Sequence, residues 1–324
     1  VNIPILSYMP ATIKQALQGL DAEQIAWLEE VRIRVGRPVE LVIRNQSFFL
    51  TTQGTISSQA EQGLIPDEEA AHKIMNLISR HSVYAVEEEL KRGYITVAGG
   101  HRVGIAGRGI IEEGRLKLLR DIKSFNFRIA KEVKNIAIPL LPSLIEQGRL
   151  LNTLIISPPR CGKTTLLRDM IRVLSRGEAD LLLQGQKIGV VDERSEIASC
   201  LEGIPQKDLG PRVDVLDACP KAEGMMMLIR SMSPDIIATD EIGSEEDVSA
   251  IMEAIYAGVG IVTTVHGSSV EDIRKRPKLR ELLSAGSFQR YIVLSKRRGV
   301  GTIEAILDGE ARKIRVLERG EIYA

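Results

Sequence analysis

Residues 153–174 read as an apolar strand, a short loop and a helix, and this unit constrains the fold of the 324-residue chain more tightly than any other. The strand is Thr153–Ile156 and the helix runs from Lys163 to Leu174. Between them lies Ser157-Pro-Pro-Arg-Cys-Gly-Lys-Thr-Thr165, which matches GxxxxGK[ST] except that Ser157 replaces the first glycine. Successive backbone N–H groups in such a loop form a concave anion nest, and the helix N-terminus adds partial positive charge. Pro158 and Pro159 carry no N–H, so the donors run from Arg160 to Thr165. Gly162 lets the backbone approach phosphates closely, Lys163 brings charge to the β- and γ-phosphates, and Thr164 offers a hydroxyl to Mg²⁺. Cys161 reads as a small tolerated side chain, with a redox handle as the weaker alternative. The whole run Ser157, Pro158, Pro159, Arg160, Cys161, Gly162, Lys163, Thr164 and Thr165 is expected to cradle ATP with Mg²⁺. Losing the first glycine puts the tight turn that opens the loop in question. The bland alternative, an accidental GKT at a helix start, is opposed by the strand before it.

Hydrolysis needs a carboxylate at the tip of a neighbouring strand. Pro234-Asp-Ile-Ile-Ala-Thr-Asp-Glu241 supplies an apolar strand ending in two acids. Asp240 is expected to hold Mg²⁺ through water, and Glu241 to polarise the attacking water as general base. A second such strand, Ile188-Gly-Val-Val-Asp-Glu-Arg-Ser-Glu196, carries Asp192, Glu193 and Glu196 around Arg194. Its tip places one or more of these acids beside the phosphates, with Glu193 expected to assist Glu241; a structural salt-bridge cluster is the alternative. A third, Ile261-Val-Thr-Thr-Val-His-Gly267, ends in two threonines and a histidine. Thr263 or Thr264 is expected to sense the γ-phosphate, and His266 to do the same or relay a change to the neighbouring domain. His72, His81 and His101 lack such a context and read as structural.

These strands are near-continuous apolar runs, as in a parallel sheet buried on both faces. The expected fold class is therefore α/β: a P-loop NTPase domain of RecA/AAA+ type with a mostly parallel sheet, preceded by a smaller α+β domain. At about 150 residues per domain the length suggests two. The boundaries are expected at 1–130 for the α+β domain, 131–149 for a linker containing a helix over 141–147, and 150–324 for the ATPase domain. In the first domain, Asp21-Ala-Glu-Gln24 resembles a capping box and Val31–Val35 alternates as a half-buried strand. A helix follows Pro66-Asp67 through Ile78. Gly99, Gly100, Gly104, Gly107, Gly109 and Gly114 punctuate what read as short hairpins. Later strands are expected at Tyr291–Leu294, Thr302–Leu307 and Ala311–Leu317.

Composition excludes a disordered, collagenous or disulfide-knotted chain. Lys+Arg and Asp+Glu are both 43, so no global charge draws the chain to nucleic acid or anionic lipid. Locally, Lys91–Lys134 holds eleven basic against four acidic residues. That surplus suits either a solvated sheet face or a surface that meets phosphate. Three scattered cysteines make no zinc spacing and point to a reducing cytosol. No secretory signal and no membrane span are expected.

The order P-loop, acidic strand tip, LIRSMSPDIIATDEIG and AGVGIVTTVH resembles the secretion ATPases of type II and type IV systems. Over most of the chain SPPRCGKTTLLRD, VVDERSEIA, DVLDACPKAEGMMMLIRSMSPD, GYITVAGGHRVGIAGR and RDIKSFNFRIAKEV are similar to the bacterial stage III sporulation protein AA family. The resemblance implies a ring, a hexamer, with ATP at subunit boundaries. It implies membrane protein partners in a sporulation channel between mother cell and forespore, and a cytoplasmic chain peripheral to the mother-cell membrane. Secretion ATPases carry arginines on the N-terminal domain that reach nucleotide. Arg102, Arg108, Arg120 and Arg128 are the candidates here, with Arg120 and Arg128 favoured. Asp240 stands where secretion ATPases often have glycine, a departure toward ordinary P-loop ATPases.

The function expected is an ATPase motor subunit. The rival is a nucleic-acid-binding P-loop ATPase, prompted by Lys91–Lys134 and by thirteen basic against eight acidic residues after Val270. With only 4% aromatic residues for base stacking, and no single-strand-binding module of the kind associated with plastid and cyanobacterial relatives, no nucleic acid partner is expected. A nucleotide-gated scaffold with slow turnover is the third reading, opposed by the retention of both hydrolytic acids.

Overall fold

The computed structural model describes residues 3–80, 89–90, 93–112, 114–181 and 183–315. His81 and Lys91 lie outside these residues, as does the end of the strand expected at 311–317. The chain divides into two units, Val1–Lys131 and Glu132–Ala324.

In the first unit β1 (Leu28–Arg34), β2 (Arg37–Ile43), β3 (Gln46–Leu50), β4 (Ile56–Ser57), β5 (Tyr94–Val97), β6 (His101–Glu112) and β7 (Arg115–Arg128) form one sheet. Its order is β4-β3-β2-β1-β7-β6-β5, antiparallel throughout. Period-2 alternation decides the faces. Val31 and Ile33 of β1, Leu41 of β2 and Phe125 and Phe127 of β7 are buried in one apolar cluster. Helix α1 (Ala11–Gln18) buries Ile13, Ala16 and Leu17, and α3 (Glu68–Ile78) buries Ala70, Ala71, Ile74 and Ile78. The short α2 (Ala22–Trp27) between them opens with a complete Asp21/Gln24 capping box. The glycines do not divide 99–114 into several short hairpins. Gly99, Gly100 and Gly114 take positive φ in the two turns that flank β6, while Gly107 sits inside it. There a Cβ would meet the Arg120 carbonyl oxygen at 2.5 Å, beside a register shift between Ala106 and Arg108. Arg102 faces Arg128 and Arg108 faces Arg120 across the β6–β7 ladder. His101 is buried and accepts the Ala130 N–H, a structural role.

The second unit holds an eight-stranded sheet of β8 (Thr153–Ser157), β9 (Ile188–Asp192), β10 (Val213–Asp217), β11 (Ile236–Glu241), β12 (Gly260–His266), β13 (Arg290–Ser295), β14 (Thr302–Asp308) and β15 (Lys313–Arg315). The order is β10-β9-β11-β12-β8-β13-β14-β15. The strands from β10 to β13 pair in parallel, and β14 and β15 add antiparallel at one edge. Both faces are covered, which explains the unbroken apolar runs. Ile155, Val190, Ala238 and Val262 pack with Leu167, Met170 and Leu174 of α4 (Lys163–Arg176). Leu154, Ile156, Val191 and Ile237 pack in another cluster. That cluster takes in residues of α5 (Lys221–Met232), α6 (Glu245–Tyr256), α7 (Val270–Arg274) and α8 (Pro277–Ser284).

Residues 137–144, inside the segment expected to link the domains, belong to this unit's core: Ala137, Leu140, Leu141 and Leu144 have zero exposure. The helix there is only Leu141–Leu144. Gln147 and Gly148 take positive φ and turn the chain into a hairpin of Ile145–Glu146 with Arg149–Leu150. Asp169 of α4, 2% exposed, fastens this segment. It accepts the N–H groups of Asn135 (3.1 Å) and Ala137 (2.8 Å) and two hydrogen bonds from the buried Arg172 guanidinium (2.7 and 2.9 Å).

Candidate active site

The loop after β8 delivers the chain to the N-terminus of α4 through two left-handed residues, Arg160 (φ 59°) and Gly162 (φ 89°). Ser157 is extended, as the last residue of β8, so the position of the missing first glycine needs no special backbone freedom. It also anchors the lysine: Lys163 Nζ donates to the Ser157 carbonyl oxygen (3.2 Å) and lies 3.3 Å from Ser157 Oγ. The first helical bond runs from Leu166 N to Gly162 O, which leaves the N–H groups of Lys163, Thr164 and Thr165 as the open donors of a helix start. Gly301, in the turn between β13 and β14, donates its N–H to Cys161 O and braces the loop from outside.

A cleft of about 340 Å³ opens here, lined by Pro159 to Thr165, Arg194, Glu196, Asp240, Glu241, Thr264 and His266. It lies at the carboxyl ends of β8, β11 and β12, where open parallel sheets bind ligands. Lys163 Nζ is 2.8 Å from His266 Nδ1, and His266 Nε2 is 2.8 Å from Glu241 Oε2. An ammonium only donates, so Nδ1 accepts, the ring proton sits on Nε2, and Nε2–H donates to Glu241. His266 thus joins the loop lysine to the strand-tip glutamate. Burial lowers the Lys163 pKa, and the Glu241 charge opposes that shift.

Asp240 is 6% exposed, and burial pushes its carboxyl up to about 6 against the attraction of Lys221. Its Oδ1 is buried without a hydrogen-bond partner among the described residues. This oxygen, 3.6 Å from the Lys221 ammonium, and the Thr164 hydroxyl in the same cleft are oxygen donors that fit a hard cation such as Mg²⁺. Among the described residues no three acidic, histidine or cysteine side chains form a cation cage. A Mg²⁺ shared with nucleotide phosphates needs only one or two protein carboxylates.

The acids at the end of β9 and in the loop after it take different positions. Asp192 has zero exposure and accepts the N–H groups of Glu196, Ile197 and Ala198, so it shapes the loop instead of facing phosphate. Glu193 does not line the cleft; its carboxylate is taken by the ammonium of Lys221. Glu196 and Arg194 are the members of this run that reach the cleft. Thr263 has zero exposure and donates to the Asp240 carbonyl, leaving Thr264 as the threonine that lines the cleft. Arg120 and Arg128 lie on β7 in the first unit. Arg120 is exposed, and Arg128 stands 3.5 Å from Glu30. The residue that sequence reasoning missed is Lys221, the first of α5. Burial penalises its charge, yet Glu193, Asp240 and Asp247 together hold its pKa above the ordinary value.

No helix among the described residues is long and apolar enough to cross a membrane. The structure resembles the ATPase DotB of Legionella pneumophila (TM-score 0.52, 18% identity, 82% of this chain and 72% of that one). It also resembles the pilus retraction motor PilT solved with ADP (TM-score 0.53, 15% identity, 84% and 75%). Identities this low show the fold alone: an α/β P-loop domain with a preceding domain. Stage III sporulation protein AA of Bacillus subtilis is 51% identical over 304 residues, 94% of each chain. The family model described as sporulation stage III, protein AA, matches residues 4–314, and the chain belongs to that family.

Proposed function

We propose that this chain is an ATP-hydrolysing motor subunit, and the observation that carries the reading is the Lys163–His266–Glu241 chain at the mouth of the P-loop. The loop from Ser157 to Thr165 binds the phosphates through its N–H groups and Lys163. Phosphate oxygens replace His266 on Lys163, which frees the imidazole to report the γ-phosphate to Glu241. Thr164 and Asp240 would hold Mg²⁺, which when bound neutralises charge on the β- and γ-oxygens. Glu241 accepts a proton from the attacking water. Closure of the first domain, taken as 1–130, over nucleotide held by the ATPase domain, 150–324, brings in Arg120 and Arg128 and turns hydrolysis into rigid-body movement.

The subunit works in a ring, a hexamer, at the cytoplasmic face of the mother-cell membrane. It drives membrane proteins of a sporulation channel toward the forespore. Membership of the sporulation stage III protein AA family and the fold shared with DotB and PilT support this reading. Phosphate release by the purified full chain tests it. Glu241→Gln should keep nucleotide affinity and lose about a hundredfold in rate, as expected for a lost general base. Lys163→Ala should lose both. A Lys163→Ala chain that hydrolyses ATP as fast as the wild type refutes the proposal.

A further inference from the structure

Lys221 is 9% exposed and opens α5 directly after Pro220, with no side-chain cap. A cation is doubly disfavoured there. Burial penalises the charged form, and a helix N-terminus already carries partial positive charge. Three carboxylates from three separate elements offset this. Lys221 Nζ donates to Glu193, just past the end of β9, and stands 3.6 Å from Asp240 Oδ1 on β11. Asp247, in the first turn of α6, adds a further attraction while accepting the N–H groups of Gly243 and Ser244. Strands β9 and β11 are neighbours in the sheet. Without the ammonium their two carboxylates would repel, and Asp240 Oδ1, which has no hydrogen-bond donor among the described residues, would lose its ion-pair partner.

We propose that Lys221 is a positioning residue of the hydrolytic site. Its ammonium keeps Glu193 out of the nucleotide cleft and fixes the Asp240 carboxylate at the end of β11 for the cation that accompanies bound nucleotide. The inference rests on the ATPase reading above and deepens it. It assigns the acidic strand tips of this chain unequal tasks: Glu193 belongs to the brace, Asp240 to the metal, and Lys221 enforces the division.

The test compares Lys221→Met, close in length and uncharged, with Lys221→Arg in the full chain. A fluorescent ADP analogue is titrated first in EDTA and then in excess Mg²⁺. Without metal, the Met variant and the wild type should bind alike, because the P-loop is untouched. The affinity gained on adding Mg²⁺ should fall about tenfold or more in the Met variant, the usual cost of losing a group that orients a metal ligand. In steady-state assays kcat should fall to a similar extent with KM for ATP nearly unchanged, and Lys221→Arg should restore most of both losses. A Met variant with the full Mg²⁺ gain and full kcat overturns the proposal. So does one whose affinity falls equally with and without Mg²⁺, which marks a purely structural brace. If the wild type turns over no ATP, the motor reading fails, while the Mg²⁺-dependent gain still decides the role of Lys221.

Discussion

Asp240→Asn should make the nucleotide-free protein more stable, although it removes the charge assigned to the cation in the proposed function. Burial raises the Asp240 carboxyl from the ordinary 3.8 to about 6, with Asp192 and Glu196 adding to the shift and Lys221 and Arg194 opposing it. In an unfolded chain this carboxyl ionises near 3.8; in the folded chain it resists until about 6. The folded state therefore binds the extra proton between these values, and stability falls as pH rises through that window. The difference of about 2.2 pH units corresponds to about 3 kcal/mol, fully lost above pH 6. Since the side chain is almost completely buried, solvent screening scarcely reduces it. Asparagine has nearly the same shape and never ionises, so it escapes the penalty. For a unit of this size about 3 kcal/mol is roughly 6–12 °C in Tm. Scanning calorimetry of the nucleotide-free chains should show the variant melting higher by that amount near pH 7.5, with the gap closing toward about pH 4. Added Mg²⁺ and ADP should then stabilise the wild type more than the variant. A gap below about 2 °C near pH 7.5, or one that does not depend on pH, would refute the reasoning.

Two further outcomes follow from the same geometry. His266→Ala should free Lys163 before phosphate arrives and tighten ADP binding roughly fivefold, from about 1 kcal/mol for a half-exposed charge-assisted hydrogen bond. Turnover should fall in the same variant, and weaker ADP binding in a titration would contradict the relay. Asp169→Ala leaves the buried Arg172 guanidinium without its carboxylate and should destabilise the second unit by about 3–5 kcal/mol. Urea unfolding followed by circular dichroism measures it, and a loss below about 1 kcal/mol would mean that Asn135 and the backbone satisfy Arg172 unaided.

The parts of the site that could be read directly are those encoded in contiguous residues. Each apolar run ends in the group it presents, and burial on both sheet faces keeps such runs unbroken, so β8, β11 and β12 and their tips stand out. The roles within Asp192-Glu-Arg-Ser-Glu196 could not be separated, because three acids within five residues look alike in a sequence. Only the loop conformation turns Asp192 back onto the N–H groups of residues 196–198. Lys221 was hidden because its partners lie 28, 19 and 26 residues away on other elements. One local sign existed: a lysine directly after a proline that starts a helix, where a cation is unfavourable unless acids are near. The span 141–147 misled because Pro142 favours a helix start, yet Gln147 and Gly148 suit a tight turn equally well. The glycines of 99–114 misled for a related reason. Gly107 makes room for a neighbouring backbone, and nothing in a sequence distinguishes that from a chain reversal.

The Asp169 clamp has a mechanical consequence. The second unit begins at Glu132, and its first residues are tied to its own helix and loops. Glu132 and Lys134 engage Asp208, and Asn135 and Ala137 are held by their amides to Asp169 in the middle of α4, the helix that follows the loop after β8. A pull on residue 131 therefore loads α4 within a few residues, as a short stiff drawbar loads an axle. Replacing Asp169 by asparagine should loosen this hold, read as faster amide exchange at Asn135 and Ala137.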